Sequence, residues 1–369
     1  FFFLCCCLFF FWYVWWFICC FCWWIGVFCC FGCLCGCCIP GCIGGLCDSA
    51  YGVRAAGSHA GFNRPFDQSP VGGTLAINLL RAGLPDIVVG TDPANGATVP
   101  PLVIPTETLS QSGIERLVLL NAGRVLVNQD VSLPDFGRVN LAGTSVEVLG
   151  DISVPGGSVT LDSTNQSVGE GVVPNDDLLT RVAANIDVSG VWVNDNELVN
   201  DGQPDAAIVL DGGDVSIGSG GSIRVEDASL IDVSAGAYRT AQGNTLGGRG
   251  GSISFDTNRI GDPQLGAQLE LAGVLRGFGF ERGGSLSFDV ERIEVVADAQ
   301  PPADSELELE ASGRFASREV DGGQGNSQFV LEVSDAIFRQ GGFEDYSLAS
   351  SRLDLAVSSD ADIRLRAAQ

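Results

Sequence analysis

Few residues in this chain have the type and spacing that chemistry requires. The one histidine, His59, lies in Gly57-Ser-His-Ala60, where no nearby residue sets up a nucleophile and its base, so it reads as a surface-loop residue. Four acids, Asp162, Glu226, Asp256 and Asp289, recur at one position of a repeated motif. Grouped on one face, such carboxylates could serve a polysaccharide lyase or hydrolase. An acid repeated in every copy reads better as architecture, ending a strand and accepting backbone N–H groups at a corner. Asp195-Asn-Glu197 with Asn200-Asp-Gly202 offers oxygens for a hard cation, but its spacing departs from the calcium-loop pattern and it reads as a solvated loop. Gly247-Gly-Arg-Gly-Gly251 is glycine-rich, yet it leads into β-type sequence and presents no helix N-terminus to a phosphate. The expectation is therefore no catalytic, cofactor-binding or metal site and no enzymatic activity.

The elements that would carry any site repeat along the chain. Gly-Gly-Ser followed by aliphatic, polar, apolar and acidic residues occurs as Gly156 to Asp162, Gly220 to Glu226, Gly250 to Asp256 and Gly283 to Asp289. Self-similarity at steps of some tens of residues marks a solenoid or a propeller. Within each copy the apolar residues alternate: Val159 and Leu161, Ile223 and Val225, Ile253 and Phe255, Leu286 and Phe288. On a strand both members of each pair face the same side, with a polar residue between them facing water. A second family of short runs lies between the copies: Ile186-Asp-Val-Ser-Gly190, Ile231-Asp-Val-Ser-Ala-Gly236 and Leu269-Glu-Leu-Ala-Gly273. Two or three short strands per turn, without a hairpin signal in every repeat, predict an all-β, right-handed parallel β-helix rather than a propeller. At longer range, Gln111-Ser-Gly-Ile-Glu115 resembles Gln340-Gly-Gly-Phe-Glu344.

Composition divides the chain. All 14 cysteines fall within residues 1–47, a stretch with no charged residue, and there is no methionine. Such a run is long enough to cross a bilayer. Its Cys, Phe and Trp content and the absence of a basic flank fit better a low-complexity T/G-rich DNA stretch read in frame, so residues 1–47 are expected to be a translation artefact or, failing that, a membrane segment. The missing methionine predicts a fragment or a misassigned reading frame. Residues 48–104 read as an irregular lead-in segment with room for one short helix. Residues 105–369 read as β-helix repeats, with a polar insertion near 163–206 whose stretch Asp176 to Ala184 is the best helix candidate. The net charge of −25 argues against nucleic acid and anionic membranes as partners. Every basic charge is Arg, which fits a high-GC genome better than the alternative, a salt-adapted surface.

The segment Gln111 to Asp162, the run Ile231 to Tyr238 leading into Gly247 to Phe255, Leu275-Arg-Gly-Phe-Gly-Phe280 leading into Gly283 to Phe288, and Gln340 to Tyr346 resemble the large exoproteins of the filamentous-haemagglutinin family. The resemblance covers about residues 105–369 and is spread over degenerate repeats. It implies an internal piece of a secreted surface adhesin of a Gram-negative bacterium, exported by an outer-membrane two-partner secretion transporter. It further implies contact with glycans or proteins on host or neighbouring cells and no cofactor. No amino-terminal secretion domain is recognisable. The competing reading of the same repeats is a β-helix polysaccharide lyase or glycoside hydrolase.

Overall fold

The computed structural model describes residues 52–55, 72–81, 83–93, 99–164, 178–195, 208–257, 267–297, 315–321, 327–350, 355–361 and 363. Residues 1–47 and His59 lie outside them.

Short strands alternating apolar and polar residues cannot bury their apolar side alone. Here they do so by winding into a parallel β-helix. The first sheet stacks Gly73–Leu79, Ile114–Asn121, Arg138–Gly143, Ser158–Ser163, Asp214–Ser219, Ser252–Asp256, Gly284–Val290 and Phe343–Ser350, all parallel, with Gly52–Ala55 antiparallel at its edge. The second sheet runs Leu102–Ile104, Ile87–Val89, Arg124–Val127, Ser145–Val148, Leu179–Val182, Ser222–Val225, Leu269–Leu271. The third runs Val131–Ser132, Ile152–Ser153, Ile186–Asp187, Leu230–Asp232, Val274–Arg276. From Ile114–Asn121 to Val274–Arg276 the chain visits the three sheets in order, so each of these rungs carries three of their strands. Before them Ile87–Val89 and Leu102–Ile104 both lie in the second sheet, and after Gly284–Val290 the strand Ile293–Val296 joins a separate four-stranded sheet. The shortest rungs, Leu117 to Val139 and Val139 to Val159, are closed by in-register pairing after 22 and 20 residues.

The alternation expected from sequence holds in the interior. Val159, Leu161, Ile253 and Leu286 are fully buried, and Phe255 and Phe288 are 1% exposed. The two phenylalanine rings stack on successive rungs with centroids 5.5 Å apart and planes 10° apart.

Several boundaries differ from expectation, each for a physical reason. The β-helix begins in the lead-in segment, because Gly72-Gly-Thr-Leu-Ala-Ile77 has the same alternation as the later motifs and pairs with Ile114–Asn121. The motif copy at Gly220 belongs to the second sheet, where Ile223 pairs with Thr180 and Leu269. Its rung's first-sheet strand is Gly212-Gly-Asp-Val-Ser-Ile217, with Val215 and Ile217 beside Val159 and Leu161. Likewise Leu269-Glu-Leu271 lies in the second sheet, and Leu275 takes the position beside Ile231 in the third. The stretch 163–206 is not one insertion: it contains rung strands Leu179–Val182 and Ile186–Asp187, and the described part of its helix candidate, residues 178–184, holds the first of these, with Thr180 and Val182 pointing inward. The α-helix among the described residues is Thr106–Gln111, six residues starting directly after Pro105.

At the corner entering the first sheet, Gly137, Gly157, Gly213, Gly251 and Gly284 precede strands paired in register. A Cβ on Gly213 would lie 2.0 Å from the Gly157 carbonyl oxygen, and one on Gly251 1.8 Å from that of Gly213. Backbone meets backbone here, so glycine is required by space. At the next corner Thr180 donates to the Gly218 carbonyl at 2.8 Å and lies 2.9 Å from the Ser163 hydroxyl, which is 2.6 Å from that of Ser219. All three side chains are fully buried. The acids of the Ile-Asp-Val-Ser runs also serve corners: Asp187 accepts from the Ser189 N–H at 2.9 Å and Asp232 from that of Ser234 at 2.8 Å.

Two outcomes follow. Gly213→Ala should cost about 1–3 kcal/mol, the range for forced overpacking, read as a lower urea midpoint; an unchanged midpoint would show that the rungs do not approach this closely. On the second sheet the Arg181 guanidinium, bonded to Glu226 at 2.6 Å, holds the Glu226 carboxyl below its ordinary value. The folded state thus favours the ionised form. Its contribution is complete above the ordinary glutamate range and is lost as pH falls through the lowered value. The drop in melting temperature between about pH 6 and pH 3 should therefore be smaller in Glu226→Gln than in the unaltered protein. Equal drops would mean that the pair adds nothing.

Candidate functional site

In a parallel in-register stack, residues at one position of successive rungs form a row about 4.8 Å apart. Along the outer face of the first sheet, where its strands begin, that row reads Thr74, Arg116, Arg138, Ser158, Asp214, Ser252, Ser285, Asp345. Its first five members line a cavity of about 440 Å³ together with Gly72, Glu115, Phe136, Gly156 and Gly157.

Three local features build this groove. The first is a β-bulge: pairing passes from Gly73–Ile114 to Thr74–Arg116, skipping Glu115. Glu115, 4% exposed, turns back and accepts from the Gly72 N–H, while Arg116 is pushed into the outward row. The same step recurs where Gly284–Phe343 passes to Ser285–Asp345, skipping Glu344. The two bulges coincide with the long-range sequence repeat. In each a short helical segment precedes the strand, with positive φ at Gly113 or at Gly341 and Gly342 between them.

The second feature is the corner Pro134-Asp-Phe-Gly137. Phe136 has φ 60°, the one non-glycine in the left-handed region among the described residues. The following rung has Gly156 there, also at φ 60°. The Phe136 N–H donates to the Pro155 carbonyl at 2.8 Å, which locks the corner, and its half-buried ring lies against Gly156. The left-handed region costs a side-chain-bearing residue roughly 1–2 kcal/mol, so the ring is held at the groove against a backbone preference.

The third feature is charge. Arg116 and Arg138 are exposed neighbours on paired strands, and neither guanidinium has a hydrogen-bond or ion-pair partner among the described residues. Several other arginines are engaged, while Arg81 and Arg239 are exposed and, like this pair, have no side-chain partner among the described residues. Arg124 lies 2.7 Å from Glu147, Arg181 2.6 Å from Glu226, Arg224 2.5 Å from Glu270 and Arg249 3.2 Å from Asp211. Arg282 pairs with Asp345, and Arg318 lies 2.7 Å from Glu294. At the far end of the groove Asp214 accepts from the Ser252 hydroxyl at 2.5 Å. The groove thus holds two cations, Arg116 and Arg138, with the Glu115 carboxylate buried beside them and the Asp214 carboxylate beyond the Ser158 hydroxyl.

The chemistry weighed from sequence falls elsewhere. Asp256 and Asp289 are neighbours in register, as the lyase or hydrolase reading needs, at the opposite end of the first-sheet strands. Asp162 pairs with Gly218, which separates it from Asp256 by one strand. Glu226 is not in that row at all: it follows a second-sheet strand and is paired with Arg181, so the four acids are not equivalent. Of the Asp195 cluster only Asp195 lies within the described residues. It is 1% exposed, and its carboxylate beside Tyr238, together with desolvation, raises the pKa of that phenol. Among the described residues no three His, Cys, Asp or Glu side chains are grouped to hold a metal, and no helix is long and apolar enough to cross a membrane. Arg249 of the glycine-rich run is tied to Asp211, and the run leads into the strand Ser252–Asp256.

Sequence reasoning missed Arg116, Phe136 and Arg138. The available signal was Arg116-Leu-Val-Leu119 and Arg138-Val-Asn-Leu141, an arginine before an alternating pair at the spacing of one short rung. Comparison with family models, with curated proteins and with solved structures finds no match to this chain.

Phe136→Gly should change folding stability by less than about 1 kcal/mol, because released strain offsets the lost half-burial of the ring. Denaturant titration checks this. A loss of roughly 3–5 kcal/mol, typical of a core phenylalanine, would make Phe136 a packing residue and remove it from the site.

Proposed function

We propose that this chain is a structural and binding segment of a large secreted surface adhesin of the filamentous-haemagglutinin type. In this reading a two-partner secretion transporter exports it to the surface of a Gram-negative bacterium. Its role there is reach and the presentation of contact surfaces to glycans or proteins of other cells.

The observation that carries the reading is the division of labour within the rungs. Inward residues stack into a continuous apolar column, and the backbone of each rung is bonded to its neighbours, so stability accrues rung by rung and length is free to vary. Variation is confined to connections. The rung from Val159 to Val215 takes 56 residues where its predecessor takes 20, yet both ends keep register. The lateral strands Trp192–Asn194, Ala237–Arg239 and Thr245–Gly247 occupy such connections and carry Trp192, 70% exposed, in edge contact with Phe280 at 5.2 Å. A scaffold with interchangeable side surfaces suits adhesion. The family itself is inferred from the repeat motifs quoted above.

The polysaccharide lyase or hydrolase stays as a second reading because Asp256 and Asp289 stand on adjacent strands at one register position.

Beads coated with the chain should retain cells or immobilised glycans. Excision of residues 166–176, which spares every described rung strand, should reduce that retention while leaving the far-UV spectrum intact. Neutral and acidic polysaccharides offered to the protein should yield no product. Released sugar or unsaturated product that disappears in Asp256→Ala/Asp289→Ala would replace the adhesin reading with the enzymatic one.

A further inference from the structure

We infer that the groove at the start of the first-sheet strands binds an acidic saccharide through the carboxylate of a uronic acid residue. The inference rests on the contact role proposed above and names the ligand of one surface.

Arg116 and Arg138 project from paired strands about 4.8 Å apart. Two such guanidiniums without internal partners are the cationic part of a groove whose two carboxylates, Glu115 and Asp214, already accept from the Gly72 N–H and the Ser252 hydroxyl. Side by side they can hold one planar carboxylate with paired N–H···O bonds, the geometry at which arginine excels. A guanidinium pair left bare would repel itself and gain nothing, whereas the second-sheet arginines are each matched to a glutamate.

The remainder of the groove fits a sugar ring. Phe136, held at φ 60° where the next rung has glycine, offers an aromatic surface to the apolar C–H face of a pyranose. Thr74, Ser158 and Asp214 supply hydroxyl and carboxylate partners for ring hydroxyls. A cavity of about 440 Å³ lies within the range of small-ligand sites. The same features exclude other anions. Asp214, two strands beyond Arg138, repels a dense polyanion, as does the net charge of the chain, so phosphate-rich nucleic acid is disfavoured. One carboxylate per sugar, with hydroxyls between, matches two cations followed by neutral and acidic hydrogen-bonding groups.

The test uses the whole chain and a fluorescent oligogalacturonate, with a neutral oligogalactoside of the same length, a sulfated oligosaccharide and inorganic sulfate as competitors. Expected results are saturable uronate binding that weakens with salt and competition by unlabelled uronate far better than by the others. Arg116→Gln/Arg138→Gln should weaken binding by at least roughly tenfold, since a charge-assisted hydrogen bond is worth about that factor or more. Arg239→Gln, an exposed arginine away from the groove, should leave it unchanged. Phe136→Gly should weaken the uronate while sparing the fold. No saturable binding, equal binding by Arg116→Gln/Arg138→Gln, or displacement by the neutral sugar, the sulfated sugar or inorganic sulfate as effective as by the uronate would each overturn the proposal. Cell retention by beads coated with Arg116→Gln/Arg138→Gln separates the two readings. Retention without uronate binding sinks this site and leaves the adhesin role standing. Loss of retention by the unaltered protein removes the adhesin role without touching uronate binding in solution.

Discussion

Backbone hydrogen bonding between successive rungs at a fixed parallel register is the constraint from which the other features of this protein descend. It sets one strand directly against the next at about 4.8 Å, so whatever occupies a given position meets its counterpart above and below. Inside, that forces like onto like: Val159 beside Val139 and Val215, Leu161 beside Leu141 and Ile217, Phe255 beside Phe288. At the corner the same spacing leaves no room for a Cβ, and the row Gly137, Gly157, Gly213, Gly251, Gly284 results. The glycine pairs, the apolar alternation and the stacked phenylalanines are one constraint seen at three places in the rung.

On the outer faces the constraint is a hazard, because identical charges would also be stacked. The second sheet resolves it by composition. Glu147 faces Arg181 across paired strands and lies between it and Arg124; Arg181 and Arg224, themselves neighbours, are drawn apart by Glu226 and Glu270. Exposed pairs of this kind contribute little stability each. What they secure is a face without net repulsion. The first sheet does the opposite at Arg116 and Arg138, where two like charges adjoin with no acid to match them among the described residues. Like charges adjoin elsewhere too, as at Asp187 and Asp232 in the third sheet, but those carboxylates accept hydrogen bonds from their own corners, whereas Arg116 and Arg138 adjoin with their guanidiniums turned to a cavity.

Much of this was legible in the sequence, and the reason is the period of two. Apolar-polar-apolar runs bounded by glycine identify strands whatever sheet they join, so the fold class and the burial of Val159, Leu161, Ile253, Phe255, Leu286 and Phe288 could be read directly. Sheet membership could not. Gly220-Gly-Ser-Ile-Arg-Val225 and Gly212-Gly-Asp-Val-Ser-Ile217 are equivalent as local patterns, and only the pairing of Asp214 with Ser158 and Ser252 assigns the latter to the first sheet. Unequal connections hid the rung length for the same reason: steps of 20 and 56 residues both return to one register. The lead-in strand Gly73–Leu79 was obscured because Thr74 replaces the serine of the motif. The groove was invisible because its residues come from five successive strands of the first sheet, from Gly72 to Asp214 in sequence, and are brought together by register and by a bulge.

Phe136 brings these threads together. The corner before a first-sheet strand needs a residue at positive φ, and Gly156 in the next rung meets that need without cost. In a stack whose other corners yield to backbone spacing with glycine, a phenylalanine in the left-handed region is sustained by its surroundings. The hydrogen bond from its N–H to Pro155 fixes the conformation, and Gly156 beneath the ring provides the space that a side chain there would fill. The absence of a Cβ in one rung is thus what permits an aromatic ring in the rung before it. That exchange falls beside the one uncompensated arginine pair of the first-sheet row. A residue in this region persists where its surroundings over-determine it, and here an aromatic face, two cations and two carboxylates surround a single cavity.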